Sequence, residues 1–248
     1  ILRGRDIDRY QYTFSNIYLL LTKNNIKVET EYPDIYKHLD TFGDAFKNRG
    51  AKGHHWSNLR PCAFFDDFKK EKIVWIELTD KGRFSLCNDE IYLLNSAYFL
   101  IPPIEFSSKY LISILNSKVI KFYLTQIANT SGVGTLRWIN NYIKEFPIPL
   151  IAFDAQILFE TKAGLMLDMS KDLLVISKNI QRIIERKFAI VDLPNKLQEW
   201  YLLTFAGFIK ELTKLKIKLS LSEEAEWEEY FNSERKKALD ILAEIEKT

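Results

Sequence analysis

Six apolar residues in the second part of the chain recur in alternating steps of three and four. Such steps align side chains along one stripe of an α-helix, and the stripe can be buried only against another helix. The pattern therefore predicts a long helix packed lengthwise on a second one, with Asp154 as a suitable cap near its start. Further helices are predicted over 194–215 and from Glu223 to the end of the chain. The residues of the repeat are Met166, Met169, Leu173, Ile176, Ile180 and Ile183.

A Pro-x-Pro segment, FPIP at 146–149, precedes this helical region, and no later segment is typical of a strand. The residues before it mix both kinds of element. Helices are predicted at 33–47 and 109–127, and strands at 17–22, 26–29, 72–78, 83–88, 91–94 and 97–101, with 83–88 and 91–94 forming a hairpin. The predicted fold class is therefore α+β, with a mixed α/β domain over 1–150 and an all-α spacer domain over 151–248.

Charge is unevenly distributed along the 248 residues. The net charge is only +2, but residues 1–150 carry 20 Lys and Arg against 16 Asp and Glu, whereas residues 151–248 carry 15 against 17. Contact with a polyanion depends on the local field, so a basic patch is sufficient for it. Any anionic partner is therefore expected at the first domain. The hydrophobic content of 47% is enough for two buried cores.

The two cysteines, Cys62 and Cys87, match no zinc-binding spacing, and such a low count is typical of a reducing compartment. No apolar run reaches the roughly 18 residues that span a bilayer, and no signal peptide is present. The chain starts at Ile1 without a methionine. We therefore expect a piece of a longer, cytoplasmic protein that has no membrane partner.

One stretch, KNRGAKGHHWSNLR at 47–60, combines cations, glycines, an indole and an amide with no acidic residue. We call it the basic stretch. Cations bind phosphate, while Arg, Asn and His side chains can reach base edges. Trp56 is expected to pack at the base of the loop. Taken alone, the composition is more typical of a solvated surface loop than of a DNA contact. The predicted phosphate contacts are Lys47, Arg49 and Lys52, and the candidate base contacts are His54, His55, Asn58 and Arg60.

A second candidate loop spans residues 131–138, where Gly132 and Gly134 allow close approach of the backbone to a ligand. Ser131 and Arg137 are its candidate DNA contacts. The alternative is a mobile connector between a helix and a strand.

Catalytic templates fit the sequence poorly. Asp66, Asp67 and Glu77 resemble nuclease carboxylates, but Thr79 stands where such sites place a lysine. His54 and His55 are adjacent, so in a strand they would face opposite sides, and no third ligand clusters with them. The chain contains no P-loop and no dinucleotide-binding fingerprint. No catalytic residue, metal ligand or bound cofactor is therefore predicted in these residues.

Taken in order, several motifs resemble the TaqI-like C-terminal specificity domain of type IIG restriction–modification enzymes. The tail at 196–231 is similar to the helical region that follows in Eco-type members. The motifs are RGRDIDRY (3–10), YPDIYKHL (32–39), G-x-x-W-x-x-L-R (53–60), KIVWIEL (72–78), LNSKVIKFYL (115–124) and FPIP (146–149).

The resemblance implies a non-catalytic, target-recognition fragment that binds double-stranded DNA. In that family one polypeptide also holds a nuclease and an adenine-N6 methyltransferase, so those domains would be its partners. S-adenosylmethionine and Mg²⁺ would be cofactors of that parent enzyme. The helical domain would then be a spacer that docks recognition to catalysis. Two other readings stay open: a protein–protein scaffold built on the helical domain, and a nuclease.

Overall fold

The computed structural model describes residues 1–128 and 134–248. Short antiparallel sheets occupy the first part of the chain and helices the remainder, which confirms the predicted fold class. The strands are β1 (Ile7–Asp8), β2 (Gln11–Tyr12), β3 (Lys72–Ile76), β4 (Leu78–Thr79), β5 (Phe84–Cys87), β6 (Ala97–Leu100) and β7 (Leu136–Arg137). The helices are α1 (Val28–Glu31), α2 (Pro33–Asp40), α3 (Gly43–Lys47), α4 (Ser108–Leu115), α5 (Lys118–Ile127), α6 (Asn140–Ile143), α7 (Phe153–Phe188), α8 (Asn195–Gln198), α9 (Phe205–Lys214) and α10 (Leu221–Lys247). Short 3₁₀ turns occupy Gly4–Asp6, Phe65–Lys69 and Trp200–Leu202.

Two compact units make up the chain. One contains residues 1–103 and 120–146, and the other contains residues 104–119 and 147–248. Residues 104–119 therefore group with the later helices. The division at 150 stays a prediction. None of the helices within 1–128 and 134–248 has an apolar stretch long enough to cross a membrane.

Strand β3 is the centre of a three-stranded antiparallel sheet with the order β5-β3-β6. Its first four residues are all buried, as expected for a β-branched, aromatic run between two neighbours. The Trp75 indole donates a 2.6 Å hydrogen bond to the Trp138 carbonyl oxygen, and the Trp138 indole donates to the Thr79 carbonyl at 3.3 Å. These bonds hold β4 and β7 against the main sheet.

Three predicted strands are wrong. Residues 17–22 form no strand, and 26–29 overlap helix α1. Residues 91–94 do not form a hairpin with β5, because β5 pairs with β3. Instead, residues 92–94 pair with the N-terminal segment. The Leu2 amide donates to the Tyr92 carbonyl at 2.8 Å, and the Leu94 amide donates to the Leu2 carbonyl at 3.0 Å. A contact between positions so distant in sequence leaves no local signal.

Three predicted helices are divided. The helix at 33–47 breaks between α2 and α3, because Gly43 has a φ of +72°, in the left-handed region. The helix at 109–127 breaks after Leu115, where Asn116 caps α4. The helix at 194–215 consists of α8, a 3₁₀ turn and α9.

The long helix predicted from the heptad pattern is confirmed as α7, which has 36 residues. Met166, Leu173 and Ile180 of the repeat are buried, and α7 packs along both α10 and α4. Asp154 lies in the first turn, but the cap residue is Ala152. A capping box of Ser220 and Glu223 starts α10.

The core of the helical unit lies where α7, α8, α9 and α10 meet. At the start of α7, the buried Gln156 side chain accepts from the Ser107 amide at 2.9 Å and donates to the Glu105 and Ile151 carbonyls, both at 3.1 Å. All of its polar atoms are thereby paired. The core side chains are Leu173, Ile180, Ile184, Leu193, Leu197, Trp200, Phe208, Leu212, Trp227, Phe231 and Ala238.

Candidate nucleic-acid interface

The second half of the basic stretch is a loop held by backbone hydrogen bonds at both ends. The Gly53 amide donates to the Asn58 carbonyl at 3.0 Å, and the Leu59 amide donates to the Thr22 carbonyl at 2.8 Å. The Thr22 hydroxyl donates in turn to the Ser57 carbonyl at 2.8 Å. The loop conformation is therefore fixed before any ligand arrives.

Gly53 is required for this arrangement. A Cβ atom at this position would lie 2.7 Å from both the Asn58 Cβ and the Leu59 carbonyl oxygen, and closer still to the Asn24 side-chain oxygen. That oxygen accepts a 2.8 Å hydrogen bond from the His54 amide. Gly50, by contrast, has open space around it.

Asn58 was predicted to contact bases, but its side chain is buried and cannot do so in this structure. Only 3% of the residue is exposed. Its amide nitrogen donates to the carbonyl oxygens of Lys23 and Ile26, both at 3.0 Å, and its amide oxygen lies 3.3 Å from the His55 amide. The prediction failed because hydrogen bonds to a turn 35 residues away cannot be read from local sequence. Asn58 is a positioning residue for this loop.

The three cations predicted to hold phosphate bond to the protein itself. The Lys52 ammonium donates to the Lys47 carbonyl at 2.9 Å. Arg49 donates to the Phe46 carbonyl at 2.8 Å and the Asn58 carbonyl at 3.1 Å. Lys47 pairs with Asp40, and this hydrogen bond raises the pKa of the lysine. These contacts organise the loop, and phosphate contact by the three residues stays a prediction.

Trp56 packs within an aromatic cluster, as its predicted role requires. Its ring centroid lies 4.9 Å from that of Tyr36 and 6.3 Å from that of Phe46. The Lys47 ammonium lies 5.3 Å from the same ring, a cation–π distance. The indole therefore joins the basic stretch to helices α2 and α3.

Three of the predicted base-contacting side chains are exposed: those of His54, His55 and Arg60. Within the described ranges, neither the His54 ring nor the Arg60 guanidinium has a hydrogen-bond partner. The His55 Nδ1 lies 2.8 Å from the Ser57 hydroxyl, which orients that ring. Arg60 follows directly after Leu59, so its backbone is anchored while its side chain is available.

The second candidate loop is only partly described. Ser131 and Gly132 lie outside the described residues. Arg137 belongs to strand β7 rather than to a loop, and its guanidinium lies 3.5 Å from Glu77 on the neighbouring segment. Its side chain is half-exposed, so it stays a candidate for contact.

The candidate nuclease carboxylates are engaged locally. Asp66 pairs with Lys69 at 3.0 Å, and Asp67 pairs with Lys70 at 2.6 Å. No group of three His, Cys, Asp or Glu side chains suited to a metal occurs in the part of the chain that the structure describes.

The sequence prediction missed the turn of residues 23–26, which is hydrogen-bonded to His54 and Asn58 of the basic stretch. A detectable signal was present, because the adjacent Asn24 and Asn25 are typical turn residues. The turn is closed by a 3.0 Å hydrogen bond from the Ile26 amide to the Lys23 carbonyl. Nothing local, however, indicates that it lies against the loop.

Residues 1–148 match the TaqI-like C-terminal specificity domain. A specificity domain is the non-catalytic, target-recognition part of a restriction–modification system, which implies recognition of DNA. Because the match covers more than half of the 248 residues, the chain belongs to the family of TaqI-like C-terminal specificity domains. Residues 154–248 match a domain of unknown function, DUF8810.

The chain is also similar to the type II methyltransferase M.MjaIV of Methanocaldococcus jannaschii. The two are 27% identical over 222 residues, which cover 80% of this chain and 68% of that methyltransferase.

Proposed function

We propose that the chain recognises a specific sequence in double-stranded DNA and performs no catalysis itself. The loop of residues 53–60 carries this proposal. Its backbone is fixed at Gly53, Asn58 and Leu59, while His54 and Arg60 expose polar side chains that lack partners among the described residues. A preorganised loop loses little entropy on binding, and Arg can grip guanine through two hydrogen bonds.

Selection of bound sites from a pool of random duplexes tests the proposal. The full chain is expected to enrich one sequence motif and to bind less tightly as salt increases, because phosphate contacts release counterions. Binding without any enriched motif, or no binding at low salt, contradicts sequence-specific recognition.

We infer further that the chain works as part of a longer cytoplasmic polypeptide of type IIG, together with a nuclease and an adenine-N6 methyltransferase. That parent enzyme would use S-adenosylmethionine and Mg²⁺. The family match and the similarity to a type II methyltransferase support this inference. The coding sequence upstream of Ile1 tests it: an adenine methyltransferase motif is expected there, and a different domain contradicts it.

The helical unit is proposed to dock on the methyltransferase. Helix α7 carries apolar side chains outside its buried stripe, and Phe153, Ile157 and Leu165 are each more than half exposed. Exposed apolar groups at this density are typical of a contact surface. Ile157→Glu is expected to weaken capture of a separately supplied methyltransferase domain, whereas Lys178→Glu on the same helix is not. Equal capture by both variants contradicts docking through this face.

The same exposed face favours a second candidate function, a protein–protein scaffold. A scaffold binds its partner with little dependence on salt and has no affinity for duplex DNA. The recognition function predicts the opposite in both respects. A salt titration of duplex binding therefore distinguishes the two functions.

A further inference from the structure

The Asn58 amide holds one face of the turn at residues 23–26. Its two 3.0 Å hydrogen bonds reach the carbonyls of Lys23 and Ile26, which flank Asn24 and Asn25. Asn24 is itself fixed, since its side-chain oxygen accepts from the His54 amide. Asn25 is thus left at the tip of a rigid turn. Its side chain is exposed, and among the residues described it forms no hydrogen bond.

Asn25 shares a groove with Arg60. The groove has a volume of about 280 Å³, and Lys23, Pro61, Cys62 and Phe65 also line it. The Lys23 ammonium lies 4.6 Å from the centroid of the Phe65 ring, so a positive charge sits at the wall of the groove. A carboxamide, a guanidinium and an ammonium therefore belong to the lining of one groove, and none of its lining residues among those described is acidic.

We propose that this groove receives the edges of base pairs, with Asn25 and Arg60 as its two base-reading side chains. The inference rests on the proposed function and deepens it. An asparagine amide matches the N6 and N7 edge of adenine, and an arginine matches the O6 and N7 edge of guanine. Both backbones are anchored. The turn that carries Asn25 is held by the two hydrogen bonds from the Asn58 amide, and Arg60 is held by the hydrogen bond from the Leu59 amide to the Thr22 carbonyl.

In this proposal the asparagine that contacts a base is Asn25 and not Asn58. Asn58 has no free donor to offer, because both of its amide hydrogens point at backbone carbonyls. It acts through the turn, as a positioning residue. Lys23, at the wall of the groove, contributes positive charge that attracts phosphate without distinguishing between bases.

Duplex selection with the full chain and three variants tests the inference. Asn25→Ala is expected to lose base preference at one position of the motif, with a loss of roughly 5- to 150-fold on the preferred duplex. Arg60→Ala is expected to lose preference at an adjacent position. Asn95→Ala, which removes an exposed asparagine that does not line the groove, keeps the wild-type motif.

The outcomes are separable. If wild-type protein enriches no motif, the proposed function itself fails. If wild-type protein enriches a motif and Asn25→Ala enriches the same one, or loses affinity equally on all duplexes, the groove assignment is overturned. The Asn25 side chain makes no hydrogen bond among the described residues, so Asn25→Ala is expected to leave the urea unfolding midpoint unchanged. An unchanged midpoint shows that a loss of base preference does not come from a loss of folding.

Discussion

Asn58 donates a 3.0 Å hydrogen bond from its side-chain amide to the carbonyl oxygen of Lys23, 35 residues earlier in the chain. The bond joins the loop that ends at Arg60 to a turn that the sequence places far from it. Together with the matching bond to Ile26, it consumes both donors of the amide. The residue best suited by type to contact adenine is therefore a part of the scaffold.

Asn58→Asp is expected to destabilise the protein. The substitution replaces two donors with an oxygen that repels the Lys23 and Ile26 carbonyls, and leaving buried groups unpaired costs about 1–3 kcal/mol. Urea unfolding measures the loss. Asn48→Asp adds the same charge at an exposed position of the basic stretch and should change the free energy of unfolding little. Equal stability of the two variants contradicts the positioning role.

Gly53→Ala is expected to disrupt the loop, since the added methyl would collide with the Asn58 Cβ and the Leu59 carbonyl. Overpacking of this kind costs about 1–3 kcal/mol. Gly50→Ala is the matched control, because no atom of the described residues lies within 4 Å of a Cβ placed there. Thermal unfolding of both variants distinguishes the positions, and similar midpoints would show that the loop can relax around the methyl group.

Arg60→Ala is expected to weaken binding to the selected duplex by about 1–3 kcal/mol and binding to random duplex much less. The reason is that Arg60 is exposed, is anchored through Leu59 and has no partner within the described ranges. Arg5→Ala removes an exposed cation of the same unit and serves as the control. Equal losses on both duplexes would reassign Arg60 as a phosphate contact.

Lys72→Met is expected to destabilise the protein although it removes a buried charge. The Lys72 ammonium is fully buried and donates to the carbonyls of Phe68 at 2.8 Å and Asp89 at 2.7 Å. Losing the donor removes one hydrogen bond from each of these oxygens, although the Asp89 carbonyl still accepts from the Ile91 amide at 2.9 Å, and we expect a cost of about 1–3 kcal/mol. The control is Lys70→Met, which breaks an exposed ion pair worth about 0–1 kcal/mol. A Lys72→Met variant as stable as wild type would show that the ammonium is dispensable.

Asp6 should contribute a pH-dependent part of the stability. Burial acts to raise the pKa of Asp6, but hydrogen bonds from Arg3 and Ser15 outweigh it, so the pKa lies below its ordinary value of 3.8. The folded pKa is lower than the unfolded one. The stabilisation is therefore present above the unfolded pKa and is lost as pH falls through the folded pKa.

Urea unfolding across the acid range measures this dependence. Asp6→Asn is expected to flatten the decline of stability below the unfolded pKa. Asp34→Asn is the control, because Asp34 is almost fully exposed and pairs with Lys37 only at 3.7 Å. Identical acid profiles for wild type and Asp6→Asn contradict a role for the Arg3 and Asp6 pair.

Local patterns were sufficient for the elements that carry their own periodicity. The heptad repeat from Met166 to Ile183 indicated α7, and the apolar run after Lys72 indicated the central strand. The basic stretch was recognisable by composition. Local patterns did not predict pairing with a segment that is distant in sequence, such as the pairing of Leu2 with residues 92–94.

The sequence by itself therefore determined the fold class, the long helix, the central strand and the family. Only the tertiary structure decided which polar side chains of the basic stretch are free. Asn58, Arg49 and Lys52 are bonded to backbone carbonyls, whereas His54 and Arg60 are exposed. The physical reason is that periodicity encodes which face of an element is apolar, while the fate of a hydrogen-bond donor depends on acceptors that folding brings from elsewhere in the chain.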